Sequence, residues 1–107
     1  IRNYPLAVRF FNNLIEKDPN FAEAWNKRAT VYFMMGDFDK SMQDIIKTLE
    51  LEPRHFGALD GMGLIFIHQG QYQQAIDVYD KMLEIFPFSI KTMEKKESIK
   101  SIISQST

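Results

Sequence analysis

Cysteine is missing from this chain, which rules out disulfides and thiolate metal sites. Histidine is scarce. His55 and His68 stand alone, with no further ligands at converging positions, so no metal site is expected. Neither sign of charge prevails, with 13 Lys and Arg against 14 Asp and Glu, so the clustered basic face of a nucleic-acid module is not expected. Long apolar runs are absent too, and none approaches the roughly 20 residues of a membrane span. Gly61 and Gly63 form a lone Gly-x-Gly with no strand before it, which is not a nucleotide fingerprint. No spacing argues for a Ser-His-Asp set, and the carboxylates fall where solvated helix faces are expected. The sequence therefore predicts no enzyme and no cofactor.

What is there is a core and a rhythm. Apolar residues make up 45% of the 107 and aromatics 13%, enough for one helical domain. Glycine and proline are few but regularly placed. Pro19, Pro53 and Pro87 recur every 34 residues, and so do Gly36 and Gly70, each followed by a polar residue and an aromatic. Apolar residues between them repeat at helical spacing, as in Leu59, Met62, Ile65 and Phe66, or Ile76, Tyr79 and Leu83. Six helices are predicted, over 5–17, 21–34, 38–51, 56–68, 72–85 and 89–104. Asn20 is the expected N-cap of the second and Ser89 of the last. Gly36 and Gly70 end helices as left-handed caps, and the prolines stop the others. No strand is expected.

A 34-residue helix–turn–helix period resembles the tetratricopeptide repeat (TPR) family. Trp25, Arg28, Ala29, Tyr32, Ser41, Ile45 and Pro53 match its pattern in one repeat. Leu59, Met62, Gly63, Phe66, Ala75, Tyr79 and Pro87 match it in the next, and Ala7, Phe11 and Pro19 in a half repeat before them. Arg28 departs from the family's leucine and Ile45 from its aromatic. The resemblance implies an all-α fold, helix pairs stacked as a right-handed superhelical solenoid. In one domain, 1–21 is a half repeat, 22–55 and 56–89 are full repeats, and 90–107 is a capping helix with a polar tail. Small residues at Ala29, Gly63, Ser41 and Ala75 let paired helices approach closely. Trp25, Tyr32, Phe66 and Tyr79 are expected as core aromatics.

In such arrays the first helix of each pair lines a concave face that binds other chains. The resemblance puts Asn26, Thr30, Phe33 and Met34 there, then Asp60, Leu64, Ile67 and His68, then Lys91 and Lys95. Glu23, Gly57, Glu94, Ser98 and Ile102 flank them. An apolar strip of Phe33, Met34, Leu64 and Ile67 suits a protein or peptide ligand with apolar anchors. Some TPR cochaperones grip acidic chain termini, but of the positions they use only Lys91 and Lys95 fit here, so that mode is not expected. The chain begins within a repeat, and Leu6, Val8, Phe10, Phe11, Leu14 and Ile15 of the first helix, whose partner helix is absent from the chain, are not expected all to be covered by the next repeat. Self-association into homo-oligomers by repeat stacking, most simply a homodimer through that helix, is the alternative reading. The wording of Phe21–Asn26 and Leu51–Leu59 resembles small bacterial TPR proteins, which implies the periplasm or the cytoplasm. No export signal is visible.

Overall fold

A computed structural model describes residues 3–105. Ile1, Arg2, Ser106 and Thr107, counted above in the half repeat and the tail, lie outside the described residues. Six helices form: α1 (Tyr4–Lys17), α2 (Ala22–Met34), α3 (Phe38–Leu51), α4 (Phe56–His68), α5 (Tyr72–Ile85) and α6 (Ile90–Gln105), and no strand occurs among the described residues. The fold is all-α.

The punctuation works through the backbone. Gly36 and Gly70 hold φ of 78° and 73°, the left-handed region that costs glycine least. Each permits the bond that closes a Schellman cap, Asp37 N donating to Tyr32 O at 2.9 Å and Gln71 N to Phe66 O at 2.8 Å. Before each recurring proline the chain is extended: Asp18, Glu52 and Phe86 have φ of −144°, −136° and −137°. That is the steric consequence of the following pyrrolidine ring. One start differs from expectation. Asn20 does not cap α2; its own N–H donates to Asp18 Oδ1 at 3.2 Å, and Phe21 takes the N-cap without a side-chain bond. The turn closed by Phe21 N on Asp18 O begins the helix one residue later.

The chain divides into two compact units, one up to Ala58 and the other from Leu59. In the first unit α1 and α3 both pack on α2. Ala29 is buried, and its carbonyl accepts a 2.7 Å bond from Ser41 Oγ. One residue before Ala29 on α2, and one turn beyond Ser41 on α3, lies an ionic centre. Arg28 donates through Nε and Nη2 to the two carboxylate oxygens of Asp44, both at 2.8 Å. Its Nη1 donates to Asn12 Oδ1 at 2.7 Å, so one guanidinium ties α1, α2 and α3 together. Asp44 is only 4% exposed, which corrects the expectation that every carboxylate sits on a solvated face. The hydrogen bond to Asp44 raises the Arg28 pKa further, against the opposing pull of burial. Trp25 is also corrected: it is half-buried, donates to Pro19 O at 2.9 Å, and lies under the Arg28 and Lys47 cations at 5.1 and 5.8 Å.

In the second unit Gly63 and Tyr79 form the tightest approach. A Cβ on Gly63 would stand 2.9 Å from Tyr79 Cε1, so only glycine fits beside that ring. Ala75, Ile76, Val78 and Met82 complete the buried face of α5, with Leu59 and Ile65 from α4 and Ile99 from α6.

Thirty-four residues on from Arg28 and Asp44 stand Met62 and Val78, an apolar answer to the same slots. A buried, bidentate ion pair nearly cancels its own desolvation cost, but losing one partner strands a charge. Asp44→Ala should cost about 3–5 kcal/mol, whereas the double variant Arg28→Met, Asp44→Val should be neutral or stabilising by about 1–4 kcal/mol. Urea denaturation checks both; equal losses in the single and double variants would contradict the assignment.

Candidate functional site

Two groups of the anticipated binding residues come together, one in each unit. In the first unit they gather at the start of α2. Asn26 Nδ2 donates to Glu23 Oε1 at 3.3 Å, and the Glu23 Oε2 atom lies 3.6 Å from His55 Nε2. His55 Nδ1 accepts the backbone N–H of Ala58 at 3.0 Å, so the imidazole caps α4. That bond assigns Nδ1 as the unprotonated nitrogen and leaves Nε2 to face the carboxylate. Gly57 sits beside this group, and a Cβ there would meet the imidazole at 3.3 Å and Asn26 Nδ2 at 3.6 Å. Sequence reasoning missed the capping role of His55. Its place immediately before a helix was the available signal.

Further along α2, Thr30 Oγ1 donates to Asn26 O at 3.1 Å. Phe33 is half-buried against Phe38, with ring centroids 5.2 Å apart, so it serves packing as well as surface. Met34 is 59% exposed.

In the second unit α4 and α6 enclose a cleft of about 360 Å³. Leu64 and Ile67 form one wall; Lys91, Glu94, Lys95, Ser98 and Ile99 form the other, with Tyr79 between. The predicted groove positions 64, 67, 91 and 95 therefore share one cavity. Across it, Lys95 Nζ donates to Asp60 Oδ1 at 2.7 Å, both side chains being about one-third exposed. Lys91 is exposed, while His68 and Ile102 lie on the surface of α4 and α6.

Tyr79 was expected only as a core aromatic. It is fully buried, and its hydroxyl has no hydrogen-bond partner among the described residues. Burial, helped by the charge of Asp60, pushes its pKa up to about 12. An unpaired buried hydroxyl costs about 1–3 kcal/mol.

Among the described residues no cluster of His, Asp and Glu could hold a metal ion, and no helix is long and apolar enough to cross a membrane.

Paired helices closed by glycine turns, with a cleft between the leading helices of successive pairs, define a helical-repeat protein. Two tetratricopeptide repeat profiles match the chain, over residues 10–43 and 56–89. The chain belongs to the tetratricopeptide repeat family. It is 45% identical over 83 residues to a TPR repeat-containing protein of Rhizobium etli, a match covering 78% of this chain and 41% of that relative. It is 27% identical to Hsp70-Hsp90 organizing protein 2 of Arabidopsis thaliana, over 97% of this chain and 18% of that protein. The chain thus spans well under half the length of either. The first TPR of Spaghetti (RPAP3), solved with the HSP90 peptide SRMEEVD, superposes with a TM-score of 0.86 at 19% identity, covering 94% of this chain and 82% of that one. The chain is a non-catalytic protein–protein interaction module.

Two outcomes test the side-chain roles. His55→Ala should remove the α4 cap at a cost of about 1 kcal/mol, read from urea denaturation, and His55→Asn should restore most of it. For Tyr79 the unfolded hydroxyl titrates near 10 and the folded one at about 12, so above pH 10 the unfolded chain binds fewer protons and stability falls. Below pH 10 this group contributes no pH dependence. Tyr79→Phe should be at least as stable as the parent at pH 8 and should lose a component of about 1.4 kcal/mol per pH unit between pH 10 and 12. An unchanged alkaline profile would contradict the burial of this hydroxyl.

Proposed function

We propose that this module binds an extended or helical peptide of a partner protein by its apolar side chains. The α4–α6 cleft carries the reading. Its apolar walls, Leu64, Ile67 and Ile99, fit one large aliphatic or aromatic anchor, whose burial is worth about 1.5–3 kcal/mol. The first unit presents Asn26, Thr30, Phe33 and Met34 on its own α2. That the similarly folded RPAP3 domain holds a peptide supports the same general use here.

Fluorescence anisotropy against an array of labelled heptapeptides tests this. Sequences with two or three large apolar residues should bind, and Leu64→Gln should weaken them at least tenfold, about 1.4 kcal/mol. Acidic tails outranking them, with affinity lost in Lys91→Ala and Lys95→Ala, would overturn the reading.

A second use rests on α1. Leu6 and Phe10 are 52% and 58% exposed, and with Arg9, Asn12 and Asn13 they line a surface cleft of about 430 Å³. A second copy meeting this face about a two-fold axis would cover it. Sedimentation should then show a dimer that Phe10→Glu converts to monomer; a monomer at high micromolar concentration would exclude it.

A further inference from the structure

The α4–α6 cleft carries its own charge selection. Lys91 and Lys95 stand one helical turn apart on α6 and both line it. Two ammonium groups one turn apart attract a carboxylate-rich ligand. Their effect is cancelled from inside the protein. Glu94 lies between them, and Asp60, on the facing helix α4, holds Lys95 at 2.7 Å. Counted with the Asp60 that holds Lys95, the charged side chains at the cleft, Lys91, Glu94 and Lys95, sum to zero. The Lys95–Asp60 contact is only partly exposed, so solvent screens it less than a free surface pair. A carboxylate arriving at Lys95 must displace Asp60 or sit beside it, and like charges in one site repel.

We infer that Asp60 is a specificity-determining residue that turns acidic segments away and reserves the cleft for uncharged, apolar ones. This rests on the peptide-binding reading above, and it names the ligand class. Removing the Asp60 charge frees Lys95 and leaves the mouth at +1. Lys91 and Lys95 then form a cationic pair on one face of α6, open to an acidic peptide.

The probe is the heptapeptide SRMEEVD, the one carried by the RPAP3 domain, with SRMQQVN amide as its carboxylate-free counterpart. Both are titrated by fluorescence anisotropy into the parent chain, Asp60→Asn and Asp60→Asn/Lys95→Ala. Helicity and urea midpoints are measured on each, and Asp60→Ser replaces Asp60→Asn if the amide disturbs folding. Asp60→Asn should bind SRMEEVD at least tenfold more tightly than the parent does. The gain should vanish in the double variant and at high salt, and SRMQQVN amide should show none of it. An Asp60 variant that binds SRMEEVD within threefold of the parent overturns the proposal. So does a gain that survives Lys95→Ala. The array experiment on the parent chain judges the peptide-binding reading separately, since its success or failure does not depend on any gain of acidic binding in the Asp60 variants.

Discussion

Close approach at Gly63 is the constraint on which the second unit depends. With a Cβ position only 2.9 Å from the Tyr79 ring, α4 and α5 touch through backbone and aromatic carbon with nothing between them. That contact seats the Tyr79 ring deep in the unit, beside the cleft. It also sets the line of α4, and with it the direction in which Asp60, Leu64 and Ile67 leave the helix. A side chain at Gly63 would push α4 away from α5 and alter the cleft that faces α6. Packing and recognition are thus coupled at one residue without a side chain.

The first unit solves the same slots differently. Ala29 stands where Gly63 does, and Ile45 where Tyr79 does, so a methyl is added on one helix and a ring removed from the other. Volume is conserved across the pair, the kind of exchange that a packed core tolerates best. Arg28 and Asp44 replace Met62 and Val78 in the same spirit. The charged pair adds what the apolar pair does not, a reach to Asn12 on α1. Directional bonds from one guanidinium fix three helices, where a thioether fills space without choosing an orientation.

Much of this was legible in the chain. Helix ends follow from dihedral preferences of single residues, Gly36, Gly70 and the residues before each proline, and such local causes are visible in any window. The recurrence of 34 supplied the family, and with it the expectation that Leu64, Ile67, Lys91 and Lys95 share a face, as they do in the cleft of the second unit. Partnerships between distant residues were not legible in the same way. Asp44 looks like any helical carboxylate until Arg28 is seen beside it, although an arginine in a leucine slot was a hint that something buried must answer it. Lys95 and Asp60 are separated by 35 positions, and no periodicity says that they meet. Asn20 has a good capping side chain, yet Asp18 draws it into an Asx-type turn that runs through Phe21, so the helix starts one residue too late for Asn20 to cap it. The single Trp misled through its size. Its indole N–H needs an acceptor, and the Pro19 carbonyl that satisfies it is near the surface.

That same Trp has a use in the laboratory. Trp25 is the only indole of the chain and lies in the first unit, beneath two cations that colour its emission. The deeply buried phenol of Tyr79 lies in the second, where its ionisation is visible by ultraviolet absorbance. Indole emission, and the part of the four-tyrosine phenolate absorbance that Tyr79→Phe removes, therefore follow the two halves separately through a single alkaline denaturation and resolve whether they melt as one cooperative body or in sequence.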